Sequence, residues 1–362
     1  MSPPDHGGEV WEVSSELGIP VHRILDFSAN INPLGPSPRA IAAIRKSVRL
    51  VASYPDNNSR LLTQAVAAYV GGITPANVLI GNGVTELVHL FSKVFLGERT
   101  EAIIPQPTFS EYEYATALSG GRPVHIVMRN AFQLEPDVLL SQITRNTKAI
   151  FLCNPNNPTS TTHDRPTLEK VVREAGKSGI MVLLDESFVE FADKAKKLTL
   201  STAAKNCRNL IVLRSLTKTF GLPGLRVGYA IGHEETIQLL DKFKITWSVN
   251  TLAQVAAIAA LQDTSYIHAT YRLISRERRF LEESLRELNL EITPPKANFL
   301  LARLRTSISS TELKRRLLKR GIIIRDCSRF KGLSSRFIRL AVRKRTENKI
   351  LLRSLRKEIA SL

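Results

Sequence analysis

Between residues 78 and 231 the chain repeats one pattern, a short apolar run closed by polar or glycine-rich punctuation. The runs are NVLI, EAIIP, PVHIVM, KAIFLC, GIMVLL, NLIVL and VGYAI. Runs this short, with helical-looking segments between most of them, predict a mostly parallel sheet covered by helices. The link from NLIVL to VGYAI is the exception. It is short and holds Gly221, Pro223 and Gly224, which leaves no room for a crossover helix, so the last strand is expected to run antiparallel.

Past Trp247 the pattern changes to NTLAQVAAIAALQD and then to the charged, amphipathic RLISRERRFLEESLREL, read as one or two linking helices. NFLLARL, TELKRRLLKRG, IIIRDC and RFIRLAV follow as strand, helix, strand and strand, and a final helix closes a smaller α+β domain. The first residues hold several Gly and Pro and no strand before ILDFS, and read as an arm with a few elements of the smaller domain. The division expected is 1–50 for the arm and part of the small domain, 51–248 for the large domain, and 249–362 for the linking helix and the C-terminal small domain.

Four runs end in polar tails: GNGVTE after NVLI, NPNNP after KAIFLC, DES after GIMVLL and RSLTK after NLIVL. Parallel strands would bring all four out at the carboxyl edge, where open α/β sheets bind ligands. A lone lysine after a strand is commonly a surface residue. Lys218, however, follows Ser215 and Thr217 closely and precedes Arg226 across a Gly-Pro loop, which suits an aldehyde cofactor bearing a phosphate. Gly83, Val84 and Thr85 form either a plain turn or a phosphate loop opening a helix. Asp185 is either the cap of the next turn or a partner for a ring nitrogen, since a buried carboxylate is costly when unpaired. Asn157, between two prolines, either shapes a rigid turn or offers its amide to a cofactor oxygen.

The 362 residues, 43% of them apolar, are enough for two domains with a sizeable core. No apolar run is long enough to span a membrane and MSPPDHGGEV lacks the form of a signal peptide, so a cytoplasmic protein is expected. Cys153, Cys207 and Cys327 have no metal-site or redox spacing, and no metal is expected. The formal charge of +18 is concentrated in KRRLLKRGIIIRDCSRFKG and RFIRLAVRKRTENK. Neither an RNA-binding signature nor a helix-turn-helix accompanies it, so no nucleic-acid partner is expected. A solvated basic face, or a field that draws in anionic substrates, is the reading kept.

In this order and spacing, GNGVTE, NPNNP, DESF and SLTKTFGLPGLRVGY resemble the fold type I pyridoxal-phosphate enzymes, in the branch of histidinol-phosphate aminotransferase. The likeness covers nearly the whole chain. HGGE, DFSANINPLGPS, YPD, WSVN, LQD, IIIRDCSRFKGL and RFIRLAVR further resemble the members of that branch that decarboxylate phosphorylated L-threonine in cobalamin biosynthesis. The resemblance implies an α/β fold type I transferase architecture, with a mostly parallel mixed sheet and a smaller α+β domain. It also implies pyridoxal 5'-phosphate as cofactor and a homodimer.

Carried over by position, the resemblance implies that Lys218 binds the aldehyde, Asp185 the ring nitrogen and Asn157 the ring oxygen, while Phe109 stacks on the ring. Gly83, Val84, Thr85, Ser215, Thr217 and Arg226 would hold the cofactor phosphate, and Tyr54 would reach the partner's. His6, Asn32, Asn157, Arg325 and Arg339 would hold a phosphorylated amino acid, with the assignment of its two anions between the arginines left open. Two positions depart from the branch: Ser160 stands where many relatives have glycine, and Phe188 where aminotransferases of the branch commonly have tyrosine. The cofactor motifs serve decarboxylation and transamination alike, so the alternatives are an aminotransferase of histidinol phosphate or a related substrate, or a decarboxylase preferring L-serine O-phosphate. A basic binding protein that merely keeps the fold is the reading from another class.

Overall fold

In the computed structural model, which describes residues 4–360, a two-residue strand β1 (Leu25–Asp26) precedes the seven apolar runs. Those runs become β2 (Val78–Gly81), β3 (Glu101–Gln106), β4 (Arg122–Val127), β5 (Thr147–Cys153), β6 (Met181–Asp185), β7 (Leu210–Ser215) and β8 (Gly228–Gly232). They form one sheet in the order β2-β8-β7-β6-β5-β3-β4. β8 is antiparallel to both neighbours and the other pairs are parallel. The short glycine-proline link therefore does turn the last strand back.

Both faces of this sheet are covered, which is why the runs read as continuously apolar. Side chains alternate between faces. Ile150, Leu152, Val182, Leu184 and Val212 pack with Leu168 and Val171 of the helix Arg165–Lys177 and with Ala253 and Ala257 of the helix Thr251–Leu261. Phe151, Leu183, Ile211 and Leu213 pack on the other side with Leu87 and Phe91 of the helix Gly83–Phe95.

The linking region is two helices, Thr251–Leu261 and Thr264–Glu287, the second capped by Asp263, whose carboxylate accepts from Tyr266 N. β9 (Leu290–Ile292), β10 (Phe299–Leu304), β11 (Ile322–Ile323), β12 (Arg325–Asp326) and β13 (Phe337–Ala341) complete the chain's strands, and the helix Arg345–Ala360 follows. An antiparallel sheet runs β12-β13-β10-β9.

IIIRDC, expected as one strand, is split at the buried Ile324. β11 pairs in parallel with β1, whereas β12 pairs with β13. This change of partner sets Arg325 directly opposite Arg339. Like charges so placed destabilise a sheet, and both residues are buried. Among the described residues no helix is long and apolar enough to cross a membrane.

Candidate active site

The carboxyl ends of β2, β5, β6 and β7 open into a cavity of about 260 Å³, roofed by residues 5–7 of the N-terminal arm. Its floor on one side is an anion cradle. No side chain caps the helix Gly83–Phe95, and Val84 and Thr85 of its first turn line the cavity, so their amides are free to face a negative group. Gly83 has φ +79, and a Cβ there would stand 2.5 Å from Arg226 Nη2. Arg226 itself holds a left-handed φ of 56, at a cost of about 1 kcal/mol. Among the described residues its guanidinium makes a single hydrogen bond, from Nη1 to Pro223 O at 3.4 Å, with no carboxylate in salt-bridge contact. Burial lowers its pKa from the usual arginine value. Ser215 Oγ and Thr217 Oγ1 lie 2.7 Å apart and complete the cradle.

Next to it Lys218 occupies the turn after β7, half-buried. Gly221 holds that turn against Gly35 with φ +64, where a Cβ would lie 2.5 Å from the Gly35 carbonyl oxygen. Withdrawal from water, with the positive charges of Arg339 and Arg226, brings the Lys218 ammonium down to about 8, against the pull of Asp185. Asp185 ends β6, buried. Its Oδ1 accepts from Ser187 N at 2.8 Å, as a capping role requires, and its Oδ2 accepts from Tyr112 OH at 2.8 Å. Burial raises its pKa despite these bonds, so a cationic partner at this carboxylate would favour its charged form.

Asn157 Oδ1 accepts from Arg339 Nη1. Because a guanidinium only donates, this bond fixes the amide's orientation and leaves Nδ2 without a partner among the described residues, available to an oxygen in the cavity. Phe109 lines the same space, and Phe188, edge-on to Phe299 at 5.0 Å, adds no donor. Ser160 keeps the left-handed φ of 62 that the glycine of relatives would take readily. Its hydroxyl accepts from Lys296 N at 3.1 Å and Ala297 N at 2.9 Å, tying the NPNNP turn to the segment before β10.

Across from this edge stand the cations. Arg339 donates also to Ser28 O, and its Nε is buried with no partner. Burial holds the Arg339 guanidinium down at about 10, still charged at neutral pH. Arg325 contacts Asp5 Oδ1 at 3.1 Å and lies over the Phe330 ring. His6 Nε2 is 2.6 Å from Glu111 Oε1, with its ring 5.5 Å from that of Phe109.

Three predicted residues do not line this cavity, and of these Gly83 lies at its margin, packed against Arg226. Asn32 is buried in a separate network, its Nδ2 2.7–2.8 Å from Thr219 O, Tyr266 OH and Thr270 Oγ1 and its Oδ1 accepting from Leu34 N. All its polar atoms are committed there, so it has none to offer a ligand. Asn30, two residues earlier, lines the cavity instead, with a buried Oδ1 that has no partner. Tyr54 is 78% exposed and stacks on Trp247 with centroids 4.4 Å apart, away from this chain's own cavity.

A free amine, a buried carboxylate, an aromatic face, an anion cradle and opposed arginines around one cavity suit a phosphorylated aromatic aldehyde together with an anionic amine. The family model of aminotransferase class I and II matches residues 22–355. The chain belongs to that family. A threonine-phosphate decarboxylase of Salmonella typhimurium is 36% identical over 362 residues, covering 99% of this chain and 97% of the relative. A histidinol-phosphate aminotransferase of Moorella thermoacetica is 34% identical over 355 residues, covering 98% and 90%. The solved histidinol-phosphate aminotransferase of Sinorhizobium meliloti, in complex with pyridoxal-5'-phosphate, superposes with a TM-score of 0.88 at 25% identity, covering 99% and 96%. The fold is the fold type I transferase fold.

For this family member, sequence reading missed Ser28, Asn30, Glu111 and Tyr112. Ser28 and Asn30 lie in an irregular segment beside Asn32, where spacing does not say which polar side chain turns inward. Glu111 and Tyr112 act on His6 and Asp185 from a helix distant in sequence, and no local pattern announces that.

Proposed function

We propose that the chain is a pyridoxal-phosphate-dependent decarboxylase of L-threonine O-3-phosphate, releasing carbon dioxide and (R)-1-amino-2-propanol O-2-phosphate for cobalamin biosynthesis. The observation that carries the reading is the buried cross-strand pair Arg325 and Arg339, which lines the cavity of Lys218 together with the partly exposed His6. Two buried guanidiniums facing each other, with the arm residue Asp5 as the one carboxylate paired with them among the described residues, suit a doubly anionic ligand, and this substrate brings a phosphate and a carboxylate.

When bound, the cofactor supplies an electron sink for the bond broken at Cα. Lys218 would provide the amine that holds the cofactor and, when free, would be the acid that gives a proton to Cα after carbon dioxide leaves. Asp185 would pair with the ring nitrogen and favour its protonated form, Asn157 Nδ2 would donate to the ring oxygen, and Phe109 would cover the ring. Gly83, Val84, Thr85, Ser215, Thr217 and Arg226 hold the cofactor phosphate. His6, Asn30, Arg325 and Arg339 would anchor the substrate, and holding its phosphate at a fixed place would orient the carboxylate for its loss. In this reading 51–248 carries the cofactor, and 1–50 and 249–362 close over it.

Residues 48–61 and 243–247 meet where Tyr54 stacks on Trp247, and they leave Val51, Leu61 and Ile245 exposed. This apolar surface supports a homodimer in which Tyr54 completes the partner's site. The second reading is a histidinol-phosphate-type aminotransferase, favoured by relatives of that name at similar identity and coverage. Incubation with L-threonine O-3-phosphate, following carbon dioxide, beside histidinol phosphate with 2-oxoglutarate, following glutamate, separates the two. Glutamate without carbon dioxide would sink the decarboxylase.

A further inference from the structure

We infer that Glu111 is a positioning residue, holding His6 of the N-terminal arm so that the free Nδ1 of its ring faces the phosphate of the bound ligand. The inference rests on the reading above that a phosphorylated amino acid enters this cavity.

Glu111 opens the helix Glu111–Leu118 and is buried, yet its two oxygens serve two histidines from other segments. Oε1 lies 2.6 Å from His6 Nε2, and Oε2 lies 2.9 Å from His89 Nε2 on the helix Gly83–Phe95. An ionised carboxylate only accepts, so both Nε2 atoms carry the proton. Burial pushes the Glu111 carboxyl up, but the bonds from His6 and His89 outweigh it and hold it at about 2.

His89 alone would give the buried carboxylate a partner. The second oxygen is spent on a residue of the arm, whose side chain is still 46% exposed and would otherwise be free to turn to water. Held this way, His6 lines the cavity with Nδ1 unengaged among the described residues, beside the Phe109 ring. A phosphate dianion only accepts, so it would be met by an Nδ1 that carries a proton. The Glu111 charge compensates the doubly protonated ring at its other end. Glu111 thus converts a loose arm histidine into a fixed donor, and it pairs the choice of a phosphorylated ligand with closure of the arm.

The test uses holoenzyme and an unreactive pair, phosphoglycolate and glycolate, which differ by the phosphate and have no amine to react. Calorimetric titration of the unaltered protein should give tighter binding of phosphoglycolate. Glu111→Gln should weaken phosphoglycolate about tenfold while glycolate changes by less than about twofold. Glu111→Asp, which keeps the charge, should restore part of the loss. His6→Ala should lose at least as much as Glu111→Gln, and the double variant no more than His6→Ala alone.

Equal affinity of the unaltered protein for the two ligands, equal losses on both ligands in Glu111→Gln, or additive losses in the double variant would overturn the inference. Should Glu111→Gln not fold, His6→Ala still decides, because unchanged phosphoglycolate binding there refutes it. Release of carbon dioxide from L-threonine O-3-phosphate is scored separately, so a failed decarboxylase reading is distinguishable from a failed role for Glu111.

Discussion

The two walls of the cavity are built differently. The sheet-edge wall takes Asn157, Asp185, Ser215, Thr217 and Lys218 from the ends of parallel strands or the turns directly after them, within a few residues of a buried apolar run. The opposite wall takes His6 from the arm, Asn30 from an irregular segment, Arg325 from a strand that changes sheets and Arg339 from its neighbour. Three of these are held by residues far off in sequence: Glu111 for His6, Asp5 for Arg325, Asn157 and Ser28 for Arg339. In the proposed function, the sheet edge carries the general chemistry and the laced set of distant segments selects the substrate. One fold can change reactions by altering the second wall alone.

The contrast can be broken most sharply at Lys218. Lys218→Ala should cut turnover at least about a thousandfold and abolish the visible absorbance of bound cofactor. Retained absorbance with normal turnover would remove the sheet edge from the chemistry. On the other wall, Arg325→Ala should lower kcat/KM roughly a hundredfold, mostly through KM, with the cofactor spectrum intact. A variant that loses the cofactor instead would show that the walls are not separable.

The two asparagines test the contrast within one segment. Asn30→Ala should lower kcat/KM about tenfold and leave Tm nearly unchanged. Asn32→Ala should cost about 1–3 kcal/mol of stability, because buried Tyr266, Thr270 and Thr219 lose their partner, with little effect on kcat/KM of the folded protein. The reverse result would return Asn32 to the site.

The mildest probe is pH. With Lys218 near 8 in the cofactor-free protein, its amine is mostly protonated and unreactive below that value and mostly free above it. Cofactor capture by the cofactor-free protein, followed by stopped-flow absorbance, should therefore accelerate through about pH 8. An ordinary lysine would not show this rise until about pH 10.4. A profile flat across pH 8 would show that Arg226, Arg339 and burial do not act on this amine as described.

Much of the sheet-edge wall was legible before any coordinates. Apolar runs with glycine or proline at their ends locate strands, and the polar residues immediately after a parallel strand have one edge to emerge on. The short Gly221–Gly224 link likewise announced the antiparallel β8. The other wall was legible only as a set of matching positions, and the set was wrong at Asn32. Whether Asn30 or Asn32 faces the cavity depends on which one meets the helix Thr264–Glu287, whose Tyr266 and Thr270 lie more than two hundred residues away.

The chain's own pattern thus determined the seven strands, their mostly parallel order and the edge on which Lys218 and Asp185 stand, because strand burial and connection length are local properties. Tertiary structure alone decided that IIIRDC divides between two sheets and that Arg325 comes to face Arg339. It also decided that the arm is tied down through Glu111. Those contacts join segments whose spacing in sequence carries no trace of their spacing in the folded protein.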